Sequence, residues 1–441
     1  MNTFRINTDY KRLFHEFESG LNGLRSGSLH KKREQAIDQF IQEGFPSTEE
    51  EEWRFTDVSP IAETEFRTVK AAEQRTLNIQ TVRSIVADTE NPRLVFENGH
   101  FCQDLSQIPV QNGITVKSMF QAVHENRDLV ETYAGHLASV QKNGFVALNT
   151  AFLYDGAFIK IPDSVIIESP IYIIYITKPV SGNTAVFPRN LILLGGGARA
   201  TIVEHYTGIP EHSYFNNTVT EIFQEQNSVL DHIKIQRESG SAYHTALTQV
   251  QQERGSVYKS SSFSFGSRLS RNDIHAQLKG EGTETVLNGL YLSSGRSLTD
   301  HHTFIDHAAP HSSSRELYKG ILDGKARAVF SGKIHVRQKA QKTDAQQSNE
   351  NLILSKDAVV DTKPQLEILA DDVRCTHGST VGQMNKDGLF YLRSRGLSLT
   401  AARNLMIRAF AAEVTEQIKH DRERESLDQL INSRLTHGHL Q

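Results

Sequence analysis

The chain has 441 residues, a formal net charge of −4 and 38% hydrophobic residues. That is length for one large or two to three ordinary domains with a sizeable core, and the near-balanced charge leaves no footprint for nucleic acid or an anionic membrane. Its two cysteines, Cys102 and Cys375, exclude a disulfide framework and, with no Cys-x-x-Cys pair, a structural zinc site.

So few thiols suit a reducing compartment, and a cytoplasmic chain is expected. The first twenty residues read as neither a secretory signal nor a transit peptide, and the longest apolar run, Ile171 to Ile176, is too short to cross a bilayer. Leu13, Phe14, Phe17, Leu21 and Leu24 recur at helical steps. After a Gly/Ser break Ala36, Ile37, Phe40 and Ile41 continue them, which predicts helix to about Phe45. Pro46-Ser47-Thr48 predicts a stop and a new N-cap, with Glu49 to Glu52 well placed at a helix N-terminus. The single tryptophan follows, in Glu52-Trp53-Arg54-Phe55-Thr56. Aromatic residues around an arginine suit a docking hot spot, but anchoring a loop on the core is their commoner use. Short extended pieces are expected from Asn91 to Leu105 and helix from Ser118 to Val140.

Gly144 to Asn149 opens a different region. From there to about Gly388 the chain reads as strand after strand, among them Val165-Ile166-Ile167, Ile171 to Ile176, Asn190 to Leu194 and Thr201 to His205. A small or polar turn launches a run at Gly197, Asn227, Gly255, Gly282, Gly324 and Lys356. The intervals are roughly 27 to 42 residues, and the longer ones leave room for inserted loops. Units this small cannot bury an apolar face alone and must stack, which predicts a mainly β protein built as a β-solenoid, with a two-sheet sandwich as the alternative. Gly195-Gly196-Gly197 lacks the Gly-Lys-Ser/Thr of a nucleotide loop and reads as a tight turn.

After Phe390-Tyr391-Leu392 helix returns. Ser398 or Thr400 can cap a helix whose apolar stripe is Leu399, Ala402, Met406, Ala409, Phe410, Val414 and Ile418. A charged link, Lys419 to Glu425, leads to a last helix with Leu427, Leu430, Ile431 and Leu435, and a frayed tail from Thr436. The chain thus divides into a mostly helical 1–143, a strand core 144–392 and a helical 393–441. The helices are expected to cover the ends of the solenoid, where free edges would otherwise be exposed.

One stretch carries candidate chemistry. In an extended strand Asp371, Val373, Cys375 and His377 share one face. A thiol beside an imidazole suits a soft-metal or redox site, although a small buried hydrophobe is the plainer role of a lone cysteine. His301, His302, His307 and His311 crowd together with Asp300 and Asp306, but Pro310 interrupts the run and no cysteine is near. Solvated loop histidines, or polar residues at an edge, are expected there rather than a metal site. Asp371, Asp372 and Asp300 would also suit a carbohydrate-active β-helix enzyme with carboxylates in an open groove, which is kept as the alternative function.

Several stretches together resemble the SufB/SufD family. They are Leu392-Arg393-Ser394-Arg395-Gly396-Leu397 with Ala401 to Ile407, Glu350 to Ser355 with Lys363 to Ile368, and Glu52 to Thr56. Asp371 to Gly378 is most similar to the SufD branch, and two cysteines are too few for the thiol-rich SufB branch. The resemblance implies a right-handed parallel β-helix between helical domains. It also implies a non-enzymatic scaffold subunit of iron–sulfur cluster assembly, paired with a SufB-like paralogue and carrying a SufC-like ABC-type ATPase. By the same resemblance Cys375 and His377 match the family's interface cysteine and histidine, as transient ligands shared with the partner. The helix from Ser398 to Lys419 matches the ATPase-docking region, with Arg395, Gly396, Arg403, Met406 and Phe410 as docking candidates. No cofactor is expected to stay on this chain alone; the resemblance implies a transient iron–sulfur cluster in the assembled complex and leaves open whether a flavin joins it there. A homodimer is expected when the chain is alone.

Overall fold

The computed structural model describes residues 3–21, 27–70, 73, 77–86, 90–108, 113–141, 143–178, 180, 182–209 and 213–436. Leu24 and the tail beyond Thr436 lie outside the described residues. Helices α1 (Thr3–Ser19), α2 (Ser28–Glu43), α3 (Ser59–Ala62) and α4 (Ile79–Arg83) lead to strands β1 (Arg93–Glu97), β2 (His100–Phe101) and β3 (Thr115–Ser118). Helices α5 (Met119–Glu125), α6 (Arg127–Tyr133) and α7 (Gly144–Ala151) follow. Next come β4 (Ala157–Ile161), β5 (Ile171–Thr177), β6 (Thr184–Val186), β7 (Arg189–Leu194), β8 (Arg199–Gly208) and β9 (Tyr214–Gln224). The series continues with β10 (Val229–Arg237), β11 (Ala242–Gln252), β12 (Val257–Phe265), β13 (Leu269–Leu278), β14 (Glu284–Ser293) and β15 (Leu298–His307). It ends with β16 (Ser313–Leu322), β17 (Arg327–Val336), β18 (Asp344–Ile353), β19 (Val359–Ile368) and β20 (Arg374–Gln383), before α8 (Lys386–Ser394), α9 (Leu399–Thr415) and α10 (Asp421–Thr436).

Strands alternate between two sheets, so the chain winds as a parallel β-solenoid. One sheet runs β2-β1-β5-β8-β10-β12-β14-β16-β18-β20, the other β19-β17-β15-β13-β11-β9-β7-β4-β3 with β6 beside β9. From β8 onward neighbouring strands pair in parallel without slippage. Val229, Val257, Glu284, Ser313, Asp344 and Arg374 stack in one column, 27 to 31 residues apart. One corner of every turn needs a left-handed residue, with φ between 57° and 69° at Gly197, Asn227, Gly255, Gly282, His311 and Lys342. Glycine adopts that conformation freely and asparagine fairly well, whereas histidine and lysine are held there by the stack. The 42-residue interval read from glycines therefore contains no inserted loop. It skips the corner at His311 and then steps to Gly324, which launches β17 in the opposite sheet.

Side chains alternate between the lumen and the outer faces. Ile173, Ile202, Ile222, Leu230, Ile274 and Ile334 pack the lumen as one apolar cluster. Through its middle runs a polar stripe. Glu204 accepts from His232 Nε2 at 3.0 Å and from the Tyr206 hydroxyl at 2.6 Å, and Lys234 lies 5.0 Å from the Tyr206 ring and donates to Asn272 at 3.0 Å. Burial pushes the Glu204 carboxyl up, but His232 and Lys234 outweigh it and hold it at about 2; burial pushes Lys234 down to about 8 against the pull of Glu204.

The flanking helices cover faces, not ends. Phe14, Phe40 and Phe145 of α1, α2 and α7 pack with Phe215, Tyr243 and Leu269 on the outside of the second sheet. Ile407, Ala411, Val414 and Leu427 of α9 and α10 pack with Ile174, Ile233, Leu290 and Ile321 on the outside of the first. The expectation that helices would cap the stack is thus corrected: β19 and β20 each have a single ladder neighbour, so both final edges are open.

Other expectations change at element borders. Gly144 to Ala151 is helix, capped by Asn143 and buried all round, which is why its unbroken apolar run read as strand. Val165 to Ile167 makes only an isolated bridge, with Ile166 exposed. Glu49 to Glu52 leads only into a 3-10 turn, Glu51–Trp53. The solenoid ends at Gln383, so Phe390-Tyr391-Leu392 is helical rather than extended. The stretch Lys419 to Glu425 is no mere link, because α10 begins within it at Asp421.

Candidate functional site: the open end of the solenoid

β20 brings Cys375 and His377 to the last layer of the lumen. Cys375 pairs in register with Ala345 and His377 with Gln347, both inward positions of β18. Two residues apart on one face, the two side chains are about 7 Å apart along the strand. Val373 and Cys375 both lean on the lumen cluster, but Val373 and Asp371 precede the strand, so of the four residues only Cys375 and His377 lie on β20. Cys375 is half-buried, and burial first, with repulsion from Asp344, raises its thiol pKa despite the Ala345 backbone hydrogen bond. Nothing in these surroundings activates it as a nucleophile. His377 is exposed and makes no hydrogen bond among the described residues.

Below His377, in the same inward column, lie Gln347 and then Glu316. Gln347 Nε2 donates to Glu316 Oε2 at 2.6 Å, and Glu316 Oε1 and Gln347 Oε1 are buried without a hydrogen-bond partner among the described residues. A Cβ at Gly332 would overlap the Gln347 amide, so that glycine gives the amide its space. Burial raises the Glu316 carboxyl to about 7. Neither Glu316 nor Gln347 was legible as part of this end of the molecule; the only signal is a polar residue at an inward position.

Cys102, half-buried beside β2, lies at the opposite end of the same sheet, nine strand steps and roughly 40 Å away. The two thiols cannot share a site. Among the described residues no group of three or more His, Cys, Asp or Glu side chains is placed to hold a metal.

His301, His302 and His307 are buried rather than solvated, whereas His311 is exposed at its corner. His301 lies in the lumen, stacked 5.2 Å from Tyr291, and His307 is buried between Ser312 and Ser314. His302 faces outward beside Asp300 at 3.0 Å. Burial alone would lower His302, but Asp300 outweighs it and holds it at about 8. Asp300 also accepts from Arg271 at 3.1 Å and Thr56 at 2.6 Å. Arg271 lies 3.7 Å over the Trp53 ring, so the Glu52 to Thr56 motif anchors the N-terminal region on β13 and β15. With Asp300 locked in this network and Asp372 paired to Lys342, the carboxylates needed by a groove hydrolase are not presented together.

The docking candidates divide. Arg395 is exposed over the Tyr391 ring, and Gly396 is exposed at φ 95°. Arg403 is half-buried, and Met406 rests against α8 near Gly388. Phe410 faces the solenoid, where its ring receives Lys319 at 4.4 Å. Sequence reasoning missed the outward apolar side chains of this region: Phe390, Tyr391, Leu399 and Leu405, of which Phe390 is 74% exposed.

The molecule is a parallel solenoid covered on both flat faces and bare at one end, where β20 presents Cys375 and His377. Residues 176–410 match the SUF system FeS cluster assembly, SufBD core domain, and residues 4–173 match the SufBD protein N-terminal region. The chain belongs to the SufBD family of iron–sulfur cluster assembly proteins. It is 32% identical over 408 residues to the iron–sulfur cluster assembly protein SufD of Escherichia coli, covering 92% of this chain and 93% of that one. An iron–sulfur cluster assembly SufBD family protein of Synechocystis is 36% identical over 90% of this chain and 89% of its own. A chloroplastic protein of Arabidopsis thaliana, ABCI7, is 29% identical over 96% of this chain and 89% of its own.

Proposed function

We propose that the chain is a SufD-like, non-catalytic scaffold subunit that pairs end-on with a SufB-like paralogue and holds a SufC-like ATPase on its C-terminal helices. The observation that carries this reading is the open last layer of the solenoid, with Cys375 and His377 facing inward on an unpaired edge. One thiolate and one imidazole cannot complete a cluster that asks for four ligands. A second chain stacked on β19 and β20 would close both edges, extend the lumen and supply the missing ligands. The nascent cluster is cargo, and a half-complete ligand set on each subunit lets it leave. The exposed Phe390, Tyr391, Leu399 and Leu405 suit the ATPase contact, with Arg395 beside them.

The test is co-expression with a cysteine-rich paralogue and an ATPase of the same host. Cys375→Ala and His377→Ala are expected to leave folding and complex formation intact while cutting cluster formed per complex at least several-fold. Normal cluster yield from both variants would sink the ligand roles, and absence of the two chains from the purified complex would sink the scaffold reading.

A further inference from the structure

Far from the open end, α4, the end of β10 and α10 enclose a cleft of about 360 Å³. Arg83, Arg237, Arg422, Ser426, Gln429 and Ser433 are among the residues lining it. Arg434 is not itself a lining residue, but it donates to Phe265 O at the end of β12, the strand beside β10, which puts a fourth guanidinium at the edge of the cleft. Burial first and then the Arg434 charge lower the Arg237 pKa, and burial lowers that of Arg434. Each is tethered by a single backbone carbonyl: Arg237 donates to Ser84 O at 3.4 Å and Arg434 to Phe265 O at 3.0 Å. Among the described residues no carboxylate lies within ion-pair distance of Arg83, Arg237 or Arg434, although Glu425 lines the same cleft.

Two half-buried guanidiniums close together, with no counter-ion among the described residues, oppose folding through both desolvation and like-charge repulsion. Arg434 gains something from the last turn of α10, where a cation meets the negative end of the helix dipole. Arg237, at the end of a strand, has no such return. The arrangement makes sense when a ligand supplies the negative charge. All the polar groups at the cleft except Glu425 can donate hydrogen bonds, and guanidinium forks match oxyanions in pairs of bonds. A carboxylate would cancel one cation, whereas a phosphoryl group brings close to two charges and three acceptor oxygens.

We propose that this cleft is an oxyanion site for a phosphoryl group, held by Arg237 with Arg434 at its edge and Arg83 and Arg422 at its mouth. The volume has room for an attached small molecule as well as for free phosphate. The site is separate from the Cys375–His377 end and stands whether or not that end holds a cluster.

The full chain is titrated by calorimetry with inorganic phosphate and with ADP, against chloride at matched ionic strength, and its Tm is read under the same conditions. Both anions are expected to bind and raise Tm beyond the chloride effect. Tighter ADP than phosphate assigns a phosphorylated small molecule, and equal affinity assigns the free ion. Arg237→Gln and Arg434→Gln are expected to weaken phosphate roughly ten- to hundred-fold. In chloride alone they are expected to melt no lower than the parent, because the amide keeps the carbonyl hydrogen bond and the repulsion is relieved. The exposed Arg83→Gln, which leaves the fold untouched, should weaken binding several-fold. Phosphate no better than chloride, affinity surviving in all three variants, or Arg237→Gln and Arg434→Gln both melting several degrees lower in chloride would each overturn the proposal.

Discussion

Glu316 shows how a single buried group sets a pH dependence. Its carboxyl is raised from 4.5 to about 7, chiefly by burial, with the Gln347 hydrogen bond and the nearby Thr303 hydroxyl pulling the other way. Between those two values the folded chain holds a proton that the unfolded chain has released. The unfolded state then binds fewer protons, so stability falls as pH rises through this window. Glu316→Gln keeps the shape and removes the titration. Its stability should be flatter over the window and exceed the parent's above pH 7 by up to about 3 kcal/mol, read from urea midpoints across pH. A parallel pH profile in parent and variant would place the proton elsewhere.

At the scale of elements, the seat of α9 depends on one buried lysine. Lys319 on β16 ion-pairs with Glu413 of α9 at 2.5 Å and with Glu350 of β18 at 3.0 Å, and it lies under the Phe410 ring. Both carboxylates stay partly in water, so the cost of losing the cation is below that of a fully buried pair. Lys319→Met is expected to cost about 2 kcal/mol and to speed hydrogen exchange in α9 more than in β16. Uniform acceleration across the chain would mean that the lysine supports the whole stack rather than the helix seat.

Elements were legible where a local rule wrote them. Ser398 caps α9 as its sequence suggests, and glycine or asparagine marks the corners at Gly197, Asn227, Gly255 and Gly282. His311 and Lys342 hold the same left-handed corner with residues that seldom choose it, so the spacing blurred there. The α9 stripe was read slightly out of phase. Ala402, Ile407, Ala411 and Val414 are among the buried positions, while Leu399 and Ala409 are exposed. Inward Glu204, Lys234 and Glu316 look like solvent-facing residues in sequence. They are affordable only because other strands bring their partners, which a one-dimensional pattern does not carry. The Cys375–His377 pairing was visible from parity; the polar floor beneath it was not.

For the whole molecule, the decisive feature is that the stack stops without a cover. Val359, Ile368, Leu369 and Val381 are all at least 39% exposed around the open end. An apolar rim beside two unpaired strand edges favours self-association when no partner is present. The isolated chain is expected to dimerise end-to-end in sedimentation experiments, and the double variant Leu369→Lys with Val381→Lys to weaken that dimer at least ten-fold while keeping the parent's melting profile. Dimers of unchanged strength would point to the Phe390–Leu405 surface instead.

The placement of the thiols has one more consequence. Cys102 and Cys375 mark opposite ends of a single ladder, and no other cysteine interferes. The native sequence therefore already carries the two attachment points of a molecular ruler. Cys102, held by burial at a pKa of about 11, would be the slower to label, so a donor dye and an acceptor dye can be added in sequence. The distance between them would report whether the solenoid bends, lengthens or stays rigid as other proteins load onto it.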